Sequence, residues 1–237
     1  MRKITLAFIL LFGPISLFAQ EVLGGQSEVV NNERFIVSAN VSYAQLLGVT
    51  REGANEIERD FYKKLRSGMS FGASGYYKIG KVSGLGLRYN VFKSKSSVSG
   101  VDAIDMFNNY YSNTTVSEDL TISFIGPSYL CNLDFPKAWG SLDIEGSVGY
   151  LSYKNKQQLG ENYTLKGATY GVQIAAAYRF NVTKNFSVGP QVALLSALLN
   201  KVKATGPDGY NETLRLEDGD TEDLSRLDLG ITFGYKF

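Results

Sequence analysis

The 237 residues contain no histidine, one cysteine and one tryptophan, and neither sign of charge prevails, with 24 Lys and Arg against 23 Asp and Glu. Without histidine the chain lacks the side chain most used for zinc sites and for proton transfer near neutral pH, so Ser-His triads and H-E-x-x-H metal sites are excluded. A single cysteine permits no intrachain disulfide and no cysteine-rich metal or iron-sulfur site. A net charge of +1 argues against nucleic acid as a partner, because phosphate neutralisation needs a basic excess. At 44% apolar and 20% charged residues, the chain is also too apolar for disorder. No cofactor is implied.

The sequence contains 25 Gly, 15 Tyr and 14 Phe, and an N-terminal address. Arg2 and Lys3 precede an apolar run from Ile4 to Phe18, broken by Gly13, Pro14 and Ser16, then Ala19 before Gln20 and Glu21. The run is shorter than the roughly 20 residues a spanning helix needs, so residues 1–19 read as a secretory signal peptide cleaved after Ala19. Residues 20–33 then form a flexible periplasmic segment, and 34–237 the folded domain.

Past the signal, alternation takes over. Phe35, Val37, Ala39, Val41 and Tyr43 share one face and Ile36, Ser38, Asn40 and Ser42 the other, the period of two that a strand imposes. Seven further segments repeat the pattern, near 67–79, 84–91, 120–125, 142–150, 169–180, 186–199 and 227–237. In the fourth, Leu120, Ile122 and Phe124 oppose Thr121, Ser123 and Ile125, and Pro127 blurs the phase. In the seventh, Phe186, Val188, Val192 and Leu194 share a face, with Leu195 and Leu199 on the other. Short connections near 79–83, 132–138 and 181–185 alternate with long ones at 48–66, 94–118, 154–166 and 201–223, as in a membrane barrel.

The apolar face is expected to point outward, because the opposite face is mostly Gly, Ser, Thr and Ala, which suit the crowded interior of eight strands. Tyr43, Tyr77, Tyr150, Tyr178, Phe180 and Phe237, near strand ends, fit aromatic girdles at the two interfaces. The expected fold is therefore all-β, an eight-stranded antiparallel up-and-down transmembrane β-barrel.

The ending Asp228-Leu-Gly230-Ile-Thr-Phe233-Gly-Tyr235-Lys-Phe237 resembles the C-terminal signal that the barrel-assembly machinery reads. Together with Phe18-Ala19-Gln20 and the stretches 84–90 and 124–129, it resembles the small outer-membrane β-barrel (porin-family, OmpA/OmpX-like) proteins of Bacteroidetes-type bacteria. The resemblance implies localisation in the outer membrane, both termini in the periplasm, and Gly230, Phe233, Tyr235 and Phe237 as the assembly signal. With nothing after Phe237, no peptidoglycan-binding domain is expected. Partners implied are outer-membrane lipid, lipopolysaccharide and the assembly machinery, with the chain a monomer.

Two constellations carry what chemistry there is. Arg88, Asp143, Glu145, Arg179, Asp228 and Lys236 fall on the polar faces; a cation facing lipid near the midplane would cost about 2–4 kcal/mol, so they are expected to point inward. They line a polar conduit or, as favoured here, pair and plug the barrel. In the last long connection Glu217, Asp218, Asp220, Glu222 and Asp223 form an acidic run, a weak candidate for Ca²⁺ that reads more simply as a solvated loop, since it lacks the EF-hand order. In the first long connection Ile57, Phe61 and Leu65 recur every four residues, so a short helix is expected at the barrel mouth. Three roles follow: a structural or surface-interaction barrel, a narrow channel or lateral conduit, and a carboxylate-dependent enzyme. The first is preferred; no enzymatic role is expected.

Overall fold

The computed structural model describes residues 34–48, 56–104, 109–135, 140–216 and 221–237. The signal and the segment to residue 33 lie outside them. Seven strands follow in order: β1 (Phe35–Leu46), β2 (Ser67–Lys78), β3 (Ser83–Ile104), β4 (Tyr110–Phe135), β5 (Gly140–Leu159), β6 (Glu161–Asn181) and β7 (Phe186–Leu199). The last connection carries β8 (Lys201–Thr205), β9 (Asn211–Arg215) and β10 (Glu222–Asp223), and β11 (Arg226–Lys236) ends the chain. Each of the eight long strands pairs antiparallel with the next, and β11 pairs with both β7 and β1, so the sheet closes into a ring. Closure leaves the wall without a free edge. No helix among the described residues is long and apolar enough to cross a membrane.

Alternation sets the two faces of the wall. On β6 Gln173, Ala175, Ala177 and Arg179 are buried, while Tyr170, Ile174 and Phe180 are exposed on the outside. The outer belt continues in Leu87, Tyr89, Val192, Leu194, Leu229 and Ile231, all exposed. A belt of this composition is solvated by hydrocarbon rather than water. At the short-turn end aromatic pairs gather: Phe35 with Tyr77 at 5.2 Å, Tyr178 with Phe180 at 4.9 Å and Tyr235 with Phe237 at 4.7 Å between ring centroids.

Three expectations are corrected. First, Leu120, Ile122 and Phe124 point inward, with 4%, 0% and 1% exposure, and Ile125 points out. Their phase continues unbroken to Ser128 and Leu130, because Pro127 stands on the outer face. The missing N–H of Pro127 falls where the β4–β5 ladder is interrupted, between Ile125↔Tyr150 and Ser128↔Ser147. Gly126 beside it lies so near β5 that a Cβ would stand 2.1 Å from the Val148 carbonyl oxygen. The pair Gly189-Pro190 repeats the device on the β6–β7 ladder, which skips from Ala177↔Gln191 to Phe180↔Val188.

Second, residues 94–104, 110–118 and 154–166 are mostly strand rather than loop. β3 and β4 stay paired from Ser83↔Cys131 to Ile104↔Tyr110, and β5 turns into β6 through Gly160, whose φ of +70° suits glycine. Above the membrane no outward apolar face is required, so the period-two signal fades although the backbone pairing persists. Third, the connection after β7 is structured, with β8 pairing β6 and β9 pairing β8. In the first long connection α1 (Glu56–Leu65) buries Phe61 and Leu65 and leaves Ile57 exposed.

Both chain ends of the barrel lie with the turns at 79–82 and 182–185, since β1 begins and β11 ends there. With Cys131→Ser as background, cysteines at Ser112→Cys and Gly209→Cys should react with an impermeant reagent on intact cells, and those at Gly80→Cys and Lys184→Cys should not. Labelling confined to the second pair would invert the orientation.

Candidate functional site

The interior is layered. Nearest the short turns, Lys236 Nζ on β11 stands 3.2 Å from Asp134 Oδ1 at the end of β4. Above it Arg179 on β6 places Nε 2.7 Å from Asp143 Oδ2 on β5 and donates from Nη2 to Ser38 Oγ at 2.9 Å. Asn132 Nδ2 donates to the other oxygen of Asp143 at 2.6 Å. Glu145, two residues along β5, pairs with Arg88 of β3 and stands 3.9 Å from Arg179 Nη2. Arg88, Arg179 and Asp143 are each no more than 2% exposed. Gly234 makes room for this cluster, since a Cβ there would lie 2.0 Å from Arg179 Nη1.

A second cluster sits higher and closes on itself. Arg226 Nε donates to Asp228 Oδ1 at 2.8 Å, and Ser70 Oγ donates to Asp228 Oδ2 at 2.9 Å. Asn90 Nδ2 donates to Ser70 Oγ at 2.9 Å, and Arg226 Nη2 donates to Asn90 Oδ1. The ring of four side chains spans β11, β2 and β3. The Arg226 guanidinium also lies over the Phe92 ring, 5.3 Å from its centroid.

Phe92 begins an apolar layer that fills the barrel toward the long connections. Leu46, Ile122, Phe124, Leu151, Leu195 and Leu199 meet there, with Phe61 and Leu65 of α1 packed from above. The helix is fastened at its C-terminal end: Ser94 Oγ donates to the Leu65 carbonyl, and the Leu46 N–H to the Arg66 carbonyl at 2.8 Å.

Of the six interior charges expected from sequence, the fold brings Arg88, Glu145, Arg179 and Asp143 into one cluster, sets Asp228 in another and Lys236 in a third. Arg226 and Asp134 are the partners that sequence reasoning misses. Arg226 shares the inward parity of Asp228, Thr232 and Lys236, but the alternating segment read from the sequence starts one residue later, at Leu227. Asp134 falls in a stretch that reads as a turn.

Glu217, Asp218 and Asp220 of the acidic run lie outside the described residues; Glu222 and Asp223 form β10 against Leu199 and Leu198. Among the described residues no group of three or more carboxylate, thiol or imidazole ligands is placed to hold a metal ion. At the C-terminus Phe233, Tyr235 and Phe237 are exposed on the outer face, Phe233 stacked on Phe186 at 6.5 Å. Gly230 faces inward, where a Cβ would press within 2.3 Å of Ser42 Oγ. Cys131 is buried.

No known family model and no curated protein matches the chain. Solved structures do. A major outer membrane protein from Thermus thermophilus superposes with a TM-score of 0.51 at 14% identity, covering 86% of this chain and 99% of that one. OprG from Pseudomonas aeruginosa gives 0.49 at 14% identity over 86% and 96%, and Neisserial surface protein A 0.45 at 14% over 86% and 97%. With a closed antiparallel ring, a lipid-compatible outer belt and the likeness to the Thermus thermophilus protein, the chain has the fold of the small eight-stranded outer-membrane β-barrel proteins.

Proposed function

We propose that the protein is a monomeric outer-membrane barrel whose lumen is plugged, with a structural or surface-interaction role exercised by the strands and connections that rise above the membrane. The observation that carries this reading is the presence of two layers of large inward side chains, one charged and one apolar. Arg179 reaches from β6 to Ser38 on β1, Arg226 from β11 to Asn90 on β3 and Arg88 from β3 to Glu145 on β5, and an apolar layer roofed by α1 lies beyond them. Eight strands leave an interior just wide enough for side chains, so either layer suffices to block solutes. The signal peptide at 1–19 would deliver the chain across the inner membrane, and Gly230, Phe233, Tyr235 and Phe237 would present it to the assembly machinery. The closer likeness to barrels of Bacteroidetes-type bacteria rests on the sequence motifs alone.

Paired charges taken out of water stabilise little by themselves, but removing one partner leaves the other buried and costs about 3–5 kcal/mol. Arg88→Ala should therefore lower the unfolding temperature in detergent and, by freeing volume, raise conductance in planar bilayers above a parent that scarcely conducts. A parent that conducts freely, together with a variant altered in ion selectivity alone, would replace the plug by a conduit for small solutes. Gly234→Ala supplies an independent check. The methyl must push aside the Arg179 guanidinium, whose Nη1 it would meet at 2.0 Å, so a destabilisation smaller than that of Arg179→Ala is expected, and melting above the parent would sink the role given to this cluster.

Assembly is tested separately. Deleting Phe237 should reduce the amount inserted in the outer membrane more than it changes the melting of protein already folded. Equal membrane levels of deletion and parent would remove Phe237 from the signal.

A further inference from the structure

On the side of the long connections, above the apolar layer, two carboxylates share the lumen. Glu118 of β4 is in phase with the inward Leu120 and Ile122, and Glu222 of β10 with the inward Leu224, Arg226 and Asp228. Glu222 stands beside the buried Leu199 of β7, continuing the register that sets Arg226 beside Leu195. The Glu118 charge is felt at Glu222, and both charges are felt at the Tyr153 hydroxyl of β5. Among the described residues neither carboxylate belongs to an ion pair. Glu222 meets solvent along part of its side chain, yet partial withdrawal from water, then Glu118 and Asp223, hold its carboxyl above the ordinary range, with Arg66 opposing them.

Beside Glu118 two neutral oxygens are buried without a partner. Ser96 of β3 pairs directly with Glu118, and Asn155 of β5 pairs with Leu120, two residues along the same inward face. Each is 3% exposed, and neither Ser96 Oγ nor Asn155 Oδ1 makes a hydrogen bond among the described residues. The Asn155 amide is fixed in this sense. Its Nδ2 donates to Glu118 Oε2 at 2.6 Å, so turning the group over would set oxygen against carboxylate, and the planar amide keeps Oδ1 next to that pair. Buried polar atoms are as a rule paired. Water alone would satisfy the two neutral oxygens and leave the carboxylates repelling each other; a cation answers both.

We propose that Glu118, Glu222, Ser96 Oγ and Asn155 Oδ1 form a binding site for a divalent cation of the Ca²⁺ class in the upper lumen. The donors are all oxygen, two charged and two neutral, which is the set that hard cations take. Ca²⁺ accepts about six to eight ligands in flexible geometry, and water entering beside Glu222 supplies the remainder. Mg²⁺ demands a nearly ideal octahedron and gives up its water reluctantly, so a site assembled from four separate strands favours the larger ion. Leu120, Tyr153, Leu199 and Leu224, the top of the apolar layer, form its floor. Through the backbone β10 is paired only with β7, and the ion ties it, with the end of the last long connection, to β3, β4 and β5. Of the acidic run only Glu222 takes part, and the site does not depend on whether the lumen is plugged.

The test uses the full barrel, folded in detergent and freed of metal with EDTA, with Ca²⁺, Mg²⁺ and Tb³⁺ as probes. Calorimetry should show Ca²⁺ held at least about tenfold more tightly than Mg²⁺. Glu118→Gln and Glu222→Gln should each weaken Ca²⁺ binding at least about tenfold. Their melting should cross that of the parent: above it without metal, because the repulsion is relieved, and below it in saturating Ca²⁺. Melting below the parent under both conditions would leave these carboxylates a structural role alone and overturn the site. Tyr153→Phe should strongly reduce tyrosine-sensitised Tb³⁺ emission, which needs the ring close to the ion, and unchanged emission would place the ion elsewhere. The triple variant Glu217→Gln, Asp218→Asn, Asp220→Asn should keep its Ca²⁺ affinity. Loss there, with retention in Glu118→Gln, would move the ion to the acidic run and overturn the assignment, as would a folded parent that binds no Ca²⁺. Failure of the plug is read separately, as free conductance of the parent in planar bilayers.

Discussion

Hydrocarbon offers no hydrogen bond to a peptide group, and the whole molecule follows from that. An open sheet would leave two unpaired edges in lipid, so β11 must meet β1 as well as β7, and the strand count, the inward parity and the width of the lumen are then fixed together. Once the ring is closed, every second residue of each strand is committed to a narrow interior. That commitment explains the serines, alanines and glycines of the inner face, and it obliges the few large inward side chains to meet one another.

How they meet divides the barrel into two environments. Toward the short turns four cations stand against four carboxylates, Arg88, Arg179, Arg226 and Lys236 with Glu145, Asp143, Asp228 and Asp134. Their attraction offsets the loss of hydration and fixes the relative height of the strands that carry them. Toward the long connections the interior is packed with Phe, Leu and Ile and roofed by α1. Arg226, bonded to Asp228 on one side and lying over Phe92 on the other, joins the two.

Much of this is legible in the sequence where the physics is repetitive. β1, β2, β6 and β11 can be read because lipid on one face and a crowded lumen on the other force a strict alternation, whereas in β7 the inward Leu195 and Leu199 blur it. The reading weakens where that contrast is lost. Leu120, Ile122 and Phe124 are apolar yet inward, because the upper lumen is itself apolar, and polarity alone cannot tell that core from lipid. The strands above the membrane face water outside, so Thr114, Lys156 or Thr164 carry no signal of a buried face. Arg226 is within reach of the parity of its own strand, but Asp134 is not, because its partner Lys236 lies at the far end of the sequence.

The two Gly-Pro pairs bear on how the wall deforms. At Gly126-Pro127 and Gly189-Pro190 a ladder is locally unbonded while the backbones stand closer than any side chain would allow, with a Cβ on Gly189 only 1.8 Å from the Tyr178 carbonyl oxygen. Each is a narrow seam in an otherwise continuous mesh of peptide hydrogen bonds. Strain applied to the cylinder, by lateral pressure or by a change in bilayer thickness, concentrates at such seams. Within the lipid-exposed wall, the residues with the least substance are therefore the ones whose enlargement the barrel can least absorb.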